Sequence, residues 1–144
     1  MTNTKKDRYI FPALLDYAED GISVSFPDLP GAFTCGDNDE EAFRMAKECL
    51  ALHIYGMEQD SEDIPTPKKV QDISVLENQV IAAIEVWMPP FRHEMEQKAV
   101  KKTLTIPKWL DELAVENNVN FSRILQDGLK AHLGVDQSEG SKKT

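Results

Sequence analysis

The chain has 144 residues, of which 25 are acidic and 16 are basic, so its net charge at pH 7 is −9 and its isoelectric point is about 4.8. This charge excludes a protein whose whole surface is basic and binds nucleic acid, although it leaves room for a local basic strip. Residues 1–97 carry 8 basic and 19 acidic side chains, whereas residues 98–135 carry 6 basic and 4 acidic ones. The acidic charge therefore belongs to the first two-thirds of the chain.

Other classes of protein are excluded by the same arithmetic. Apolar residues make up 41% of the chain and charged residues 28%, which is typical of a folded globular protein. No apolar run reaches the ~18–20 residues that span a bilayer, and the polar segment Met1–Arg8 does not resemble a signal peptide. We therefore expect a soluble, cytoplasmic protein with no membrane partner. The two cysteines and three histidines are too sparse for a disulfide framework or a transition-metal site, so no cofactor is expected.

The first segment has the pattern of a three-stranded antiparallel meander. An apolar strand over Tyr9–Leu15 is followed by the turn signal Glu19–Gly21 and by an alternating strand at Ile22–Phe26. Two prolines and a glycine interrupt the pattern at Pro27–Gly31, and Ala32–Cys35 forms the third strand. The run from Phe26 to Gly31 therefore serves first as a structural turn.

A helix and a fourth strand follow the meander. The helix begins at Asn38 or Asp39, which can cap it, and it ends between Gly56 and Gln59. A polar segment with two prolines then predicts a loop over residues 60–67. Gln79–Trp87 is almost continuously apolar and β-branched, which favours a strand buried on both faces. The result is a β-β-β-α-β domain over residues 1–90 that ends at two prolines. Residues 91–99 are either a linker or a short helix.

The last forty residues predict a strand followed by two helices. The strand covers residues 100–106, and Pro107 then opens a first helix. Asn120 caps a second helix, which ends at Gly134 because glycine readily adopts the left-handed conformation. The second domain is thus β-α-α over residues 100–135, and residues 136–144 form a disordered tail. The fold class is α+β.

A domain of about 35 residues with one strand is too small to fold alone. Below roughly 40 residues a chain needs a metal, disulfides or a partner, and an unpaired strand leaves its backbone groups unsatisfied. Pairing with a second copy meets both needs, so we predict a homodimer, or a higher even oligomer, built on a two-stranded antiparallel ribbon. Lys101, Thr103 and Thr105 then lie on its outer face. The predicted dimer core consists of Leu104, Ile106, Ile124, Leu125 and Gly128.

The run Lys101-Lys102-Thr103-Leu104-Thr105-Ile106-Pro107, followed by two helices, resembles a ribbon-helix-helix DNA-binding domain of the Arc/MetJ type. The resemblance implies that Lys101, Thr103 and Thr105 read base edges in the major groove of operator DNA. It also implies that the backbone amides of Asn120, Phe121 and Ser122, at the start of the second helix, hold phosphates. Lys102 departs from the pattern, since relatives usually carry an apolar residue there.

The run from Val24 to Thr34 (VSFPDLPGAFT), followed by Gly36-Asp37 and Glu40-Glu41-Ala42, resembles the core signature of HicB-family antitoxins. That resemblance implies a partial RNase H-like N-terminal domain that sterically blocks a HicA-type ribonuclease toxin, in a protein that represses its own operon and catalyses no reaction. The acidic domain would complement a basic, RNA-binding partner. The candidate toxin contacts are Phe26, Asp28, Leu29 and Phe33.

Two alternatives remain open at this stage. The first is a repressor whose N-terminal domain senses a small molecule. The second is a weak ribonuclease, since the resemblance to RNase H would imply a metal-binding nuclease site. Such chemistry requires several carboxylates around divalent cations, and nothing in the sequence makes the available ones converge. Its candidate ligands are Asp16, Asp28, Asp37 and Glu48.

Overall fold

The computed structural model describes residues 5–135, and the chain divides between Ala99 and Val100 into two compact units. The first unit contains a four-stranded antiparallel sheet in the order β3-β2-β1-β4. Its strands are β1 (Arg8–Ala18), β2 (Gly21–Ser25), β3 (Phe33–Gly36) and β4 (Gln79–Trp87). The predicted meander and the predicted bounds of the fourth strand are confirmed, and β1 is longer at both ends than the sequence indicated.

One face of the sheet forms the core against helix α1 (Asp39–Gln59). Phe11, Ala13 and Leu15 of β1 are fully buried, as are Leu50 and Ile54 of α1. The prediction that β4 is buried on both faces is wrong. Its buried Ile84 and Val86 alternate with exposed Glu85 and Trp87, because α1 covers only one face of the sheet and the other face is open to solvent.

Two hydrogen bonds between side chains and backbone amides hold the start of α1. The Asn38 side chain accepts from the amide of Glu41 at 2.9 Å, and Glu41 Oε1 accepts from the amide of Asp37 at 2.7 Å. The sequence left the cap open between two residues, and it is Asn38. Just before it, Gly36 brings β3 so close to the helix that an added Cβ would lie 2.5 Å from the backbone nitrogen of Ala42.

Residues 91–97 belong to a helix of the first unit, α2 (Met88–Gln97). The predicted domain boundary at the two prolines is wrong, because these prolines lie in the first turn of α2, where no intrahelical N–H is needed. Met88 is fully buried, and Phe91 packs edge-on against Tyr55 of α1 with 6.1 Å between ring centres. The first unit therefore continues to residue 99.

The second unit has the two predicted helices, α3 (Lys108–Glu116) and α4 (Phe121–Leu133). Asn120 caps α4, and Gly134 ends it at φ 73°, as predicted. Residues 100–106 form no strand in the single chain, because a strand requires a ladder partner and residues 5–135 supply none to this segment. The tail at residues 136–144 lies outside the described residues. No helix in the described part of the chain is both long and apolar enough to cross a bilayer.

Candidate functional site

The segment predicted to read DNA is exposed along its whole length. Lys101, Thr103 and Thr105 are accessible, but so are Leu104 and Ile106, which were predicted to face a dimer core. The exposed fraction of Leu104 is 63%. A single copy of the chain therefore leaves both faces of this segment open to solvent.

The predicted phosphate site lies at the first turn of α4. Asn120 Oδ1 accepts from the amide of Arg123 at 3.0 Å, and Ser122 Oγ accepts from the side chain of Gln126 at 3.0 Å. Because the first four amides of a helix have no intrahelical acceptor, the amides of Phe121 and Ser122 point outward from this end. Capping by Asn120 and phosphate binding by its neighbours are thus compatible.

The second unit contains no buried residue among those described. Ile124 is 60% exposed, Leu125 is half-buried, and a Cβ added at Gly128 would meet no described atom within 4 Å. Exposed apolar side chains continue along both helices and the preceding segment. They are Val100, Leu104, Ile106, Trp109, Leu110, Leu113, Val115, Phe121, Ile124, Leu129, Leu133 and Val135.

The turn after β2 is part of the core, which changes the candidate toxin contacts. Phe26 and Leu29 are buried, and their backbones close the turn through bonds from Leu29 N to Phe26 O at 2.9 Å and from Ala32 N to Leu29 O at 3.0 Å. The prediction that Phe26 and Leu29 contact a partner directly is therefore corrected, since their side chains reach no surface. Asp28 is half-buried and accepts from the amide of Lys68 at 3.1 Å, whereas Phe33 is 72% exposed.

The structure also reveals a cleft that the sequence analysis missed. It is a wide groove of about 1250 Å³ in the first unit, between α1, α2 and residues 30–34. Its apolar lining includes Met45, Cys49 and Leu52 of α1 and Phe91 and Met95 of α2. The sequence signal was the width of the apolar stripe on α1, because these three α1 residues form a second stripe beside the buried one.

Four carboxylates lie along the cleft, namely Glu48, Asp60, Glu62 and Glu94. All four are exposed, and none forms an ion pair with another residue of the described chain. Lys98 is the one Lys or Arg in the lining. Burial raises the pKa of the Cys49 thiol, so this cysteine is a packing residue with little thiolate character.

Hydrogen bonds of Arg92 hold α2, which forms one side of the cleft, against the rest of the unit. Its guanidinium donates to both carboxylate oxygens of Glu58, at 3.0 and 2.7 Å, and to Asp7 Oδ1 at 2.8 Å. The hydrogen bonds to Glu58 are the main reason that the pKa of Arg92 is raised. These contacts tie α2 to α1 and to the segment that precedes β1.

Two of the four carboxylates considered for nuclease chemistry accept hydrogen bonds from neighbouring groups. Asp16 accepts from Asn78 and Gln79 at 2.9 Å each, and Asp28 accepts from the Lys68 amide. Within residues 5–135 no group of three or more His, Cys, Asp or Glu side chains is arranged to hold a metal ion. The cleft itself is an open groove with an apolar lining and carboxylates along it.

The comparisons with known proteins agree on one family. The model of the HicB-like antitoxin of bacterial toxin-antitoxin systems matches residues 11–128. An uncharacterized 14.9 kDa protein in the rep-hol intergenic region of Haemophilus phage HP1 is 32% identical over 104 residues, which are 70% of this chain and 75% of the phage protein. Antitoxin HicB 2 of Photorhabdus laumondii is 40% identical over 57 residues, which are 40% of this chain and 41% of that one.

The fold has a solved counterpart. A chain in the structure described as a toxin-antitoxin complex from Streptococcus pneumoniae is 27% identical to this one, with a TM-score of 0.57. The similarity covers 87% of this chain and 99% of that chain. Because the first unit has only 99 residues, a similarity of this extent reaches into both units.

Proposed function

The chain belongs to the HicB-like antitoxin family of bacterial toxin-antitoxin systems, and we propose that its two units have separate tasks. Residues 1–99 bind a HicA-type, mRNA-cleaving toxin and block it sterically. Residues 100–135 dimerise as a ribbon-helix-helix domain and repress the operon that encodes the pair. The antitoxin acts in the cytoplasm and needs no chemistry of its own.

One observation supports this proposal: the family match covers residues 11–128, which include most of both units. The first unit is acidic and has its own hydrophobic core, whereas the second unit has no buried residue among those described. A unit that buries none of its residues cannot be stable as a single copy. Pairing two copies through residues 100–106 would give the segment its ladder and cover Leu104, Ile106 and Ile124. The same pairing would direct Lys101, Thr103 and Thr105 outward together.

The pattern of charge supports the division of tasks. DNA repels the first unit, whose residues 1–97 have a net charge of −11, while residues 98–135 have a net charge of +2. A toxin that cleaves RNA must itself bind phosphates with basic side chains, so it is attracted to the acidic unit. The groove in that unit has a volume of about 1250 Å³, above the roughly 300–1,000 Å³ of small-molecule pockets, which favours a protein partner over a sensed metabolite.

The test separates the two tasks by mutation. Lys101→Ala with Thr103→Ala should weaken binding to DNA from the chain's own operon by at least about 100-fold, since each lost base contact costs ~1–3 kcal/mol. The variant should still neutralise the toxin. Thr66→Ala with Lys68→Ala removes the same types of exposed side chain from the first unit and should leave operator affinity unchanged.

Two results would contradict the proposal. If the Lys101 and Thr103 variant also fails to neutralise the toxin, the two tasks are not separate. If the wild-type chain sediments as a monomer at micromolar concentration, the ribbon cannot form and the DNA-binding task must be abandoned.

A further inference from the structure

We propose that the cleft between α1 and α2 is the surface that covers the toxin's RNA-binding face. This inference rests on the proposed function, and it adds the place of binding and the chemistry of the partner. The partner would insert apolar side chains between the two helices and set lysine or arginine side chains against the carboxylates of the rim. The carboxylates would then occupy positions that RNA phosphates occupy on the free toxin.

The apolar floor is the first argument. Leu52 is 52% exposed, and it lies on a stripe of α1 beside the one that packs into the core of the unit. Beside it, Cys49 and Met45 are only half-buried, and Phe91 and Met95 face them from α2. A concave apolar surface that stays open to water is typical of an interaction site.

The charge of the rim is the second argument. Some carboxylates of the first unit have cationic partners, as Glu58 has Arg92 and Glu85 has Arg8, whereas others, such as Asp20 and Glu77, have none among the described residues. Glu48 and Glu94 differ from the rest by position, because these unpaired carboxylates stand on the two helices that flank the apolar floor. Unpaired acidic side chains around an apolar centre complement a basic surface and steer its approach.

The uncovered face of the sheet is the competing surface. It exposes Ile10, Trp87 and Phe33, which the strand register places on the side opposite to Val86 and Val24. One pair of charges on this face is already matched, because Arg8 pairs with Glu85 at 3.2 Å and lies 5.4 Å from the centre of the Trp87 ring. Asp16, which alternates onto the same face, accepts hydrogen bonds from the side chains of Asn78 and Gln79 at 2.9 Å each. This face has the apolar area for a partner, but it lacks the four carboxylates that line the cleft.

The apolar floor is tested by Leu52→Glu in the full-length chain, with Ile10→Glu as the matched control. Both side chains are apolar and about half exposed, at 52% and 49%, and they lie on opposite layers of the unit. Binding is measured by calorimetry against purified, catalytically inactive HicA-type toxin. We expect Leu52→Glu to weaken toxin binding by at least about 30-fold, as loss of a hot spot does, and Ile10→Glu to leave it within about threefold.

The rim is tested by Glu48→Lys with Glu94→Lys, against Asp20→Lys with Glu77→Lys. Each pair changes the net charge equally, but only the first lies on the cleft. The cleft pair should slow association and flatten its dependence on salt, whereas the control pair should do so far less. Operator binding and the thermal midpoint of each variant show that the fold is intact.

Three outcomes are distinguishable. If the wild-type chain does not bind the toxin, the proposed function fails. If it binds and Ile10→Glu is the damaging change, the toxin sits on the sheet face and this inference is overturned. Equal effects of the two charge pairs, or no effect of Leu52→Glu, overturn it as well.

Discussion

Replacing Arg92 by methionine should destabilise the first unit, because Arg92 ties α2 to α1 and to the segment before β1. The substitution removes a guanidinium that makes two hydrogen bonds to Glu58, one to Asp7 and one to the carbonyl oxygen of Lys6. Methionine retains most of the apolar length of the side chain, so the packing loss is small. The main consequence is a carboxylate at Glu58 that stays buried without its cation.

The size of the effect follows from burial. The Glu58 side chain is only 3% exposed and that of Arg92 is 15% exposed. Removing one partner of a buried ion pair costs about 3–5 kcal/mol, and the residual exposure of Arg92 places this pair near the lower value. For a domain of this size, such a loss lowers the melting temperature by about 10–20 °C. Arg8→Met is the control, because Arg8 and Glu85 are both more than half exposed and their pair is worth at most about 1 kcal/mol.

The assay is urea unfolding, since urea does not screen charges. In a Trp109→Phe background, Trp87 is the single tryptophan and reports on the first unit. Replacing both Glu58 and Arg92 by methionine should recover most of the lost stability, because no buried charge then remains. If Arg92→Met and Arg8→Met shift the midpoint equally, the Glu58 pair has no special role in holding α2.

Three further changes test other parts of the structure. Gly36→Ala should lower the free energy of unfolding by about 1–3 kcal/mol, because its Cβ would overlap the backbone of α1. At Gly56 an added Cβ meets no described atom within 4 Å, so Gly56→Ala should stabilise α1. Equal shifts of the two variants in chemical denaturation would contradict this. Leu104→Glu should abolish the dimer and operator binding together by placing charge in its core, and a variant that still sediments as a dimer would show that the ribbon's faces are reversed. Burial raises the pKa of the Cys49 thiol, so at pH 8 a smaller fraction of it is thiolate than of an unburied thiol. Cys49 should therefore react with iodoacetamide more slowly than exposed Cys35. Equal alkylation rates in mass spectrometry would refute the burial of Cys49.

The local elements were predictable because their signals are local. Alternation predicts β2, the cap at Asn38 predicts the start of α1, and Gly134 predicts the end of α4. Each signal depends on backbone geometry within a few residues. The same local logic failed at the two prolines after Trp87, because a proline ends a strand and begins a helix equally well.

The sequence alone determined the family signature and the division of charge, and it predicts that the second unit needs a partner. These depend on composition and short-range order, and no coordinates are required to count them. Only the tertiary structure decided that Phe26 and Leu29 are core residues and that Leu52 lies in an open cleft. Burial depends on what packs against a side chain from distant parts of the chain. The sequence therefore does not distinguish an apolar residue in a core from one on a binding surface.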